Sequence, residues 1–190
     1  KQAQRRRSQR RGWWGAVAMV LLMAAAGAWW WQMRQQPLAV VKEVAGAPTL
    51  LRGSQILSVN VGTQLMSGDQ LSTLPEESVT FAYDDGTQVQ LSSDTSAAFH
   101  GETSGQGKRV VMSLGALAAE VSPQPPGRPM RIETPLAQIT VRGTVFWLAA
   151  EERRTRLDVT EGVVEIARKS DGKSIPVAAR EFAVATDQSL

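Results

Sequence analysis

The 190-residue chain contains no cysteine and a single histidine, His100. The missing cysteine removes disulfides, thiolate metal sites and cysteine nucleophiles together. A zinc site or a Ser/His/Asp constellation built on His100 would need partners that the spacing does not supply. His100 therefore reads as a strand-end or loop residue. Phosphate-loop chemistry is missing too. The glycines of 101–108 lack the G-x4-G-K spacing, Arg109 stands where Ser or Thr is needed, and a strand follows instead of a helix. Ser170-Asp171-Gly172-Lys173 matches S-x-x-K only formally, since it falls in a turn without the partner motifs. Asp84 and Asp85 are adjacent, so on a strand they would face opposite ways, and they read as turn residues. The expectation is a protein without catalytic residues, a metal or a cofactor.

Acidic residues are missing from the start of the chain. Lys1, Arg5, Arg6, Arg7, Arg10 and Arg11 put six positives into the first eleven residues with no acid among them. From residue 35 onward, 14 Lys and Arg face 18 Asp and Glu, so the body carries a net −4 and the overall +3 belongs to the tail. This split excludes a basic nucleic-acid-binding domain, because phosphate neutralisation requires positives on the folded face.

Charge is also absent from Trp13 to Trp31, a run of 19 residues. As a helix it would span about 28 Å, close to the roughly 30 Å hydrocarbon core of a bilayer. Trp13 and Trp14 mark one edge and Trp29, Trp30 and Trp31 the other, as interfacial belts do. Arg10 and Arg11 flank the first belt, and few positives follow the second, so the positive-inside bias keeps residues 1–12 in the cytoplasm. The lipid bilayer is thus the first expected partner. A cleaved signal peptide is the rival reading, with Ala26-Gly27-Ala28 as an A-x-A-like site. Cleavage there would leave three tryptophans at the new terminus. Both readings export the body. Arg5-Arg6-Arg7 lacks the hydrophobic residues that should follow a twin-arginine export signal. The chain opens on Lys1 and not Met, so an upstream segment is expected.

After a linker over 32–41 the pattern turns strand-like. Leu38–Val41, Gln55–Val59, Val79–Tyr83 and Thr87–Leu91 are short, β-branched or alternating, and Ser67-Gly68-Asp69, Asp84-Asp85-Gly86 and Ser170-Asp171-Gly172 supply turns. Further strands are predicted at Val110–Leu114, Leu117–Val121, Met130–Glu133, Gln138–Val141, Thr144–Ala149, Arg156–Thr160, Val163–Ala167 and Phe182–Ala185. Pro123, Pro125, Pro126 and Pro129 form a rigid loop that no central strand could contain. Without a convincing amphipathic helix, the fold class is all-β: many short strands as a sandwich, roll or short solenoid, preceded by one transmembrane α-helix. The β domain is expected over 42–186, with 187–190 as a tail.

Small signatures recur in order along this body. Gly62 to Thr73 carries Gly68-Asp69; Asp85-Gly86-Thr87 and Leu114-Gly115-Ala116-Leu117 follow. Then come Thr134-Pro135-Leu136-Ala137 running into Val141-Arg142-Gly143-Thr144-Val145-Phe146, and last Glu161-Gly162-Val163-Val164. The series resembles the FecR domain family of bacterial envelope proteins. The signature residues have a structural logic: the glycines suit turns or bulges, and Pro135 ends one extended segment before the next. Thr144, Phe146 and Leu148 alternate, so they share one face. The resemblance implies a regulator in the bacterial inner membrane with a single span and a periplasmic body. It would relay a signal, iron uptake in the family, to an extracytoplasmic-function sigma factor held by the upstream segment. An outer-membrane receptor's signalling domain would be the partner outside. The alternative is a non-signalling envelope module that binds or scaffolds surface components.

Overall fold

The computed structural model describes Met19, Met23, Ala24, Gly27 and residues 37–101 and 107–188. Those first four positions have helical backbone, with both methionines exposed. The rest of the expected span over 13–31 lies outside the described residues, among which no helix is long and apolar enough to cross a membrane. The β body belongs to a separate compact unit, Pro37–Leu190.

Sixteen strands are found among the described residues. In chain order the first eight are β1 (Ala39–Ala45), β2 (Thr49–Arg52), β3 (Gln55–Ser58), β4 (Gln64–Leu65), β5 (Gln70–Ser72), β6 (Ser78–Tyr83), β7 (Gln88–Leu91) and β8 (Ser96–His100). The others are β9 (Arg109–Val121), β10 (Met130–Glu133), β11 (Ala137–Val141), β12 (Thr144–Ala150), β13 (Arg154–Glu161), β14 (Val163–Arg168), β15 (Ser174–Ala178) and β16 (Phe182–Thr186). One layer, A, has the order β4-β1-β6-β7-β9-β12-β13-β16. Layer B has the order β3-β2-β5-β8-β9-β10-β11-β14-β15. Pairing is antiparallel except for β9 with β10, which makes the sheet mixed, and β3, β4, β15 and β16 leave it open.

β9 belongs to both layers. Its first half pairs with β8 and, in parallel, with β10, while its second half pairs with β7 and β12. Sequence periodicity predicts two strands here, broken at Leu114-Gly115-Ala116-Leu117. The structure instead shows one strand of 13 residues with a bend at Gly115 (φ 104°). A β-carbon on Gly115 would lie 2.3 Å from Thr95 Oγ1 and 2.4 Å from Thr95 Cα, so only glycine fits the bend. Thr95 fastens it, accepting the Ala116 N–H at 3.0 Å and donating to the Ala116 carbonyl at 3.1 Å. The glycine thus turns a strand from one layer into the other without ending it.

The inward residues of both layers form one core. β6 buries Val79, Phe81 and Tyr83, β11 buries Ala137, Ile139 and Val141, and β12 buries Phe146 and Leu148. Phe81 from layer A meets Phe99 from layer B edge-on, with ring centroids 5.0 Å apart. Each fully buried side chain of this size contributes roughly 1.5–3 kcal/mol through removal from water.

Candidate functional site

The signature residues sit at three places where the two layers are tied together. At the first, Gly68 (φ 92°) forms the turn between β4 and β5 and donates its N–H to the Phe99 carbonyl at 2.7 Å. The turn buries the Asp69 carboxylate, which accepts from Arg52 Nε at 2.9 Å, Arg52 Nη2 at 2.7 Å and the Met66 N–H at 2.7 Å. Arg52 also reaches the Gln64 carbonyl at 2.7 Å, so one ion pair joins β2, β4 and the β4–β5 turn. The bond to Asp69 raises the guanidinium pKa against the opposing effect of burial. A charge this deep persists because three donors, two of them from a guanidinium, replace the water it has lost.

The second place is the β6–β7 hairpin. Asp85 accepts from the Thr87 N–H and hydroxyl, both at 3.1 Å, while Gly86 (φ 87°) supplies the turn geometry. Lys108 and Gln124, from the two ends of β9, reach the same carboxylate, and Lys108 Nζ also lies 5.3 Å from the centre of the Tyr83 ring. Burial pushes the Asp85 pKa up, but the bonds from Lys108, Gln124 and Thr87 together hold it below its ordinary value. The Tyr83 hydroxyl is driven up by burial and by the nearby Asp85 charge. The lysine, carboxylate and amide bond to one another and form a clamp across the start and end of β9.

The third place collects the rest. Thr134 Oγ1 accepts the Ala137 N–H at 3.0 Å and lies 2.8 Å from Thr155 Oγ1 of layer A, bridging the layers around Pro135. Gly143 (φ 149°) packs against Pro123, and the Arg142 carbonyl accepts from the Gln124 N–H at 2.8 Å. A β-carbon on Gly162 would fall 2.6 Å from Thr144 Cγ2, and Phe146, two residues beyond Thr144, is buried. Thr144 is buried, with no partner for its hydroxyl among the described residues. The Arg142 and Glu161 side chains are exposed.

The expected interface residues Arg10, Arg11, Trp13, Trp14, Trp29, Trp30 and Trp31 lie outside the described residues, as does most of the glycine-rich 101–108 segment. His100 ends β8 opposite Arg109. Among the described residues, no three His, Cys, Asp or Glu side chains stand where they could hold a metal.

A surface that the motifs do not mark lies on the outside of layer A. The pairings Thr80–Gln90, Gln90–Ala118, Ala118–Trp147, Trp147–Asp158 and Asp158–Phe182 align one outward row across six strands. Trp147, the one tryptophan outside 13–31, keeps 38% of its surface exposed above Ala118. At one end of the row Arg156 lies 4.8 Å over the Phe182 ring and grips Asp158 with two bonds of 2.8 Å. Toward the other end is an open trench of about 210 Å³ over Ala118. The clue in the sequence was the alternation of Trp147 with buried Phe146 and Leu148.

The FecR protein family model matches residues 69–165, just over half of the chain. Two crystal structures of a protein assigned as an anti-sigma factor from Parabacteroides distasonis share the fold, each with a TM-score of 0.55, at 22% and 24% identity. The likeness covers 62% of this chain and 55% of those chains, so the sequence spans about half their length. No curated protein matches the chain. The matched segment runs from the Asp69 turn through the Asp85 clamp to Gly162, and the chain belongs to the FecR protein family.

Proposed function

We propose that the chain is a membrane-anchored regulator whose β body receives a signal outside the cytoplasm and relays it to a sigma factor inside. Membership of the FecR family over residues 69–165 carries the reading. The fold shared with a protein assigned as an anti-sigma factor supports it. The basic residues before an uncharged 19-residue run supply the orientation, with residues 1–12 in the cytoplasm and the body in the periplasm. In this reading the stimulus is one of iron uptake, the outer partner is the signalling domain of an outer-membrane receptor, and the inner partner is an extracytoplasmic-function sigma factor.

Affinity capture of the full-length protein from its own cells tests the relay. A sigma factor should co-purify, and its absence from both induced and uninduced cells would contradict the proposal. Orientation has a separate test. Alkaline phosphatase fused after residue 186 should be active, whereas a well-expressed but inactive fusion would overturn the topology.

A further inference from the structure

The trench on the outside of layer A is lined by Thr80, Gln88, Gln90, Ala118, Glu120 and Val145. The pairs Gln88–Glu120 and Glu120–Val145 form a second outward row beside the one that leads to Trp147. Among the described residues, the side chains of Thr80, Gln88, Gln90, Glu120 and Trp147 have no hydrogen-bond or ionic partner. At the opposite end of the same row the polar groups are already paired, because Arg156 and Asp158 satisfy each other, while the Phe182 ring under Arg156 stays 62% exposed. The free chemistry therefore lies on the Gln90 side of Trp147.

That chemistry is specific in kind. It offers two carboxamides, a hydroxyl and a carboxylate over Ala118, with the exposed Trp147 indole beside the trench, paired with Ala118 and two residues beyond Val145. Carboxamides donate and accept together, and a carboxylate accepts from two hydroxyls at once. An indole packs against an apolar C–H face while its N–H remains available to a polar group. A neutral polyhydroxylated ring presents this combination, with C–H groups on its face and hydroxyls around its rim. Glu120 repels anionic ligands, and the trench contains no cation to receive one. Its volume lies below the roughly 300 Å³ at which pockets enclose a drug-sized ligand, so the ligand is one bound from a single side. An open, shallow trench on a sheet suits a chain that enters at one end and leaves at the other. We infer that the outer face of layer A binds a neutral glycan strand, stacked on Trp147 and hydrogen-bonded by Gln88, Gln90 and Glu120.

This binding is independent of the sigma-factor reading and is tested without it. Full-length protein in detergent micelles is titrated by calorimetry with chitohexaose, cellohexaose and hexalysine. The two sugars distinguish an amino-sugar strand from a plain glucan. At least one should bind, Trp147→Ala should weaken it tenfold or more, and the Gln88→Ala/Gln90→Ala double variant should weaken it severalfold. Arg131→Ala on layer B should leave it unchanged, and unaltered circular dichroism shows that each variant is folded. Three results would each overturn the inference: no binding of either sugar at millimolar concentration, equal binding by folded Trp147→Ala, or binding of hexalysine alone. The last would make Glu120 part of a site for a basic protein.

Discussion

Where β5 meets β8 and where β9 meets β10, on the outside of layer B, polar side chains find one another. Gln70 donates to Ser96 at 3.0 Å, and Arg109 grips Glu133 with bonds of 2.7 and 3.0 Å while Lys169 stands 3.7 Å behind. On the outside of layer A, from Thr80 to Trp147, the side chains have no such partners among the described residues. Both faces belong to one sheet and share β9, so strand geometry does not account for the contrast. A face whose hydrogen bonds are satisfied within the protein gains little from an incoming molecule, whereas free donors and acceptors around an exposed indole can gain from one. Most of the family signature lies away from both faces, although Arg142 and Glu161 are exposed and Val145 lines the trench. Asp69, Asp85, Thr134 and Phe146 are held in clamps or in the core, where they determine how the layers meet.

This contrast between a signature frame and a free outer face can be broken experimentally. Phe146→Ala empties the core beneath Trp147 and should cost about 3–5 kcal/mol in chemical denaturation. A loss below about 1 kcal/mol would mean that this signature strand is not anchored inward. Asp69→Ala leaves Arg52 and the Met66 N–H without their acceptor. It should cost about 2 kcal/mol, at the low end for a broken buried pair because Arg52 keeps 38% of its side chain exposed. Arg52→Lys should recover less than half of the wild-type pairing, since one ammonium cannot reproduce the two-bond fork. Recovery of full stability would deny the fork its role.

A smaller effect is expected from pH. Asp85 and Glu133 both have depressed pKa values in the folded protein, Glu133 chiefly through its bond to Arg109. Depressed carboxylates stabilise the fold above their unfolded pKa of about 4 and lose that contribution as pH falls through the folded value. Lys108→Met should therefore cost about 1 kcal/mol or less at pH 7, since Asp85 keeps 31% of its surface, and the difference from wild type should shrink below about pH 4. A difference that grew on acidification would contradict the clamp.

Much of the frame was legible in the sequence. The alternation of Thr144, Phe146 and Leu148 identified a common face, which the structure places inward. The Asp-Gly pairs at 85–86 and 171–172 marked true hairpins between β6 and β7 and between β14 and β15. The bend in β9 was not legible, because a glycine inside a strand looks like a break until its partners are known. β4, with two residues, and β5, with three, are too short to show a period, and Pro176 disguises β15. β2 and β8 were not anticipated either. Clamp partners 17 and 23 residues apart leave no local pattern, so Arg52 for Asp69 and Lys108 for Asp85 could not be assigned. The row through Trp147 depends on the register of six strands, which no single segment encodes.

The central claim is that the signature glycines build the frame while the outer face of layer A is free for another task. Equilibrium denaturation of Gly115→Ala beside Trp147→Ala tests it most directly. Alanine at 115 collides with the Thr95 backbone at φ 104° and should cost about 2–4 kcal/mol. Loss of the half-exposed indole should cost about 1 kcal/mol or less. A Trp147→Ala loss equal to or larger than that of Gly115→Ala would contradict the account.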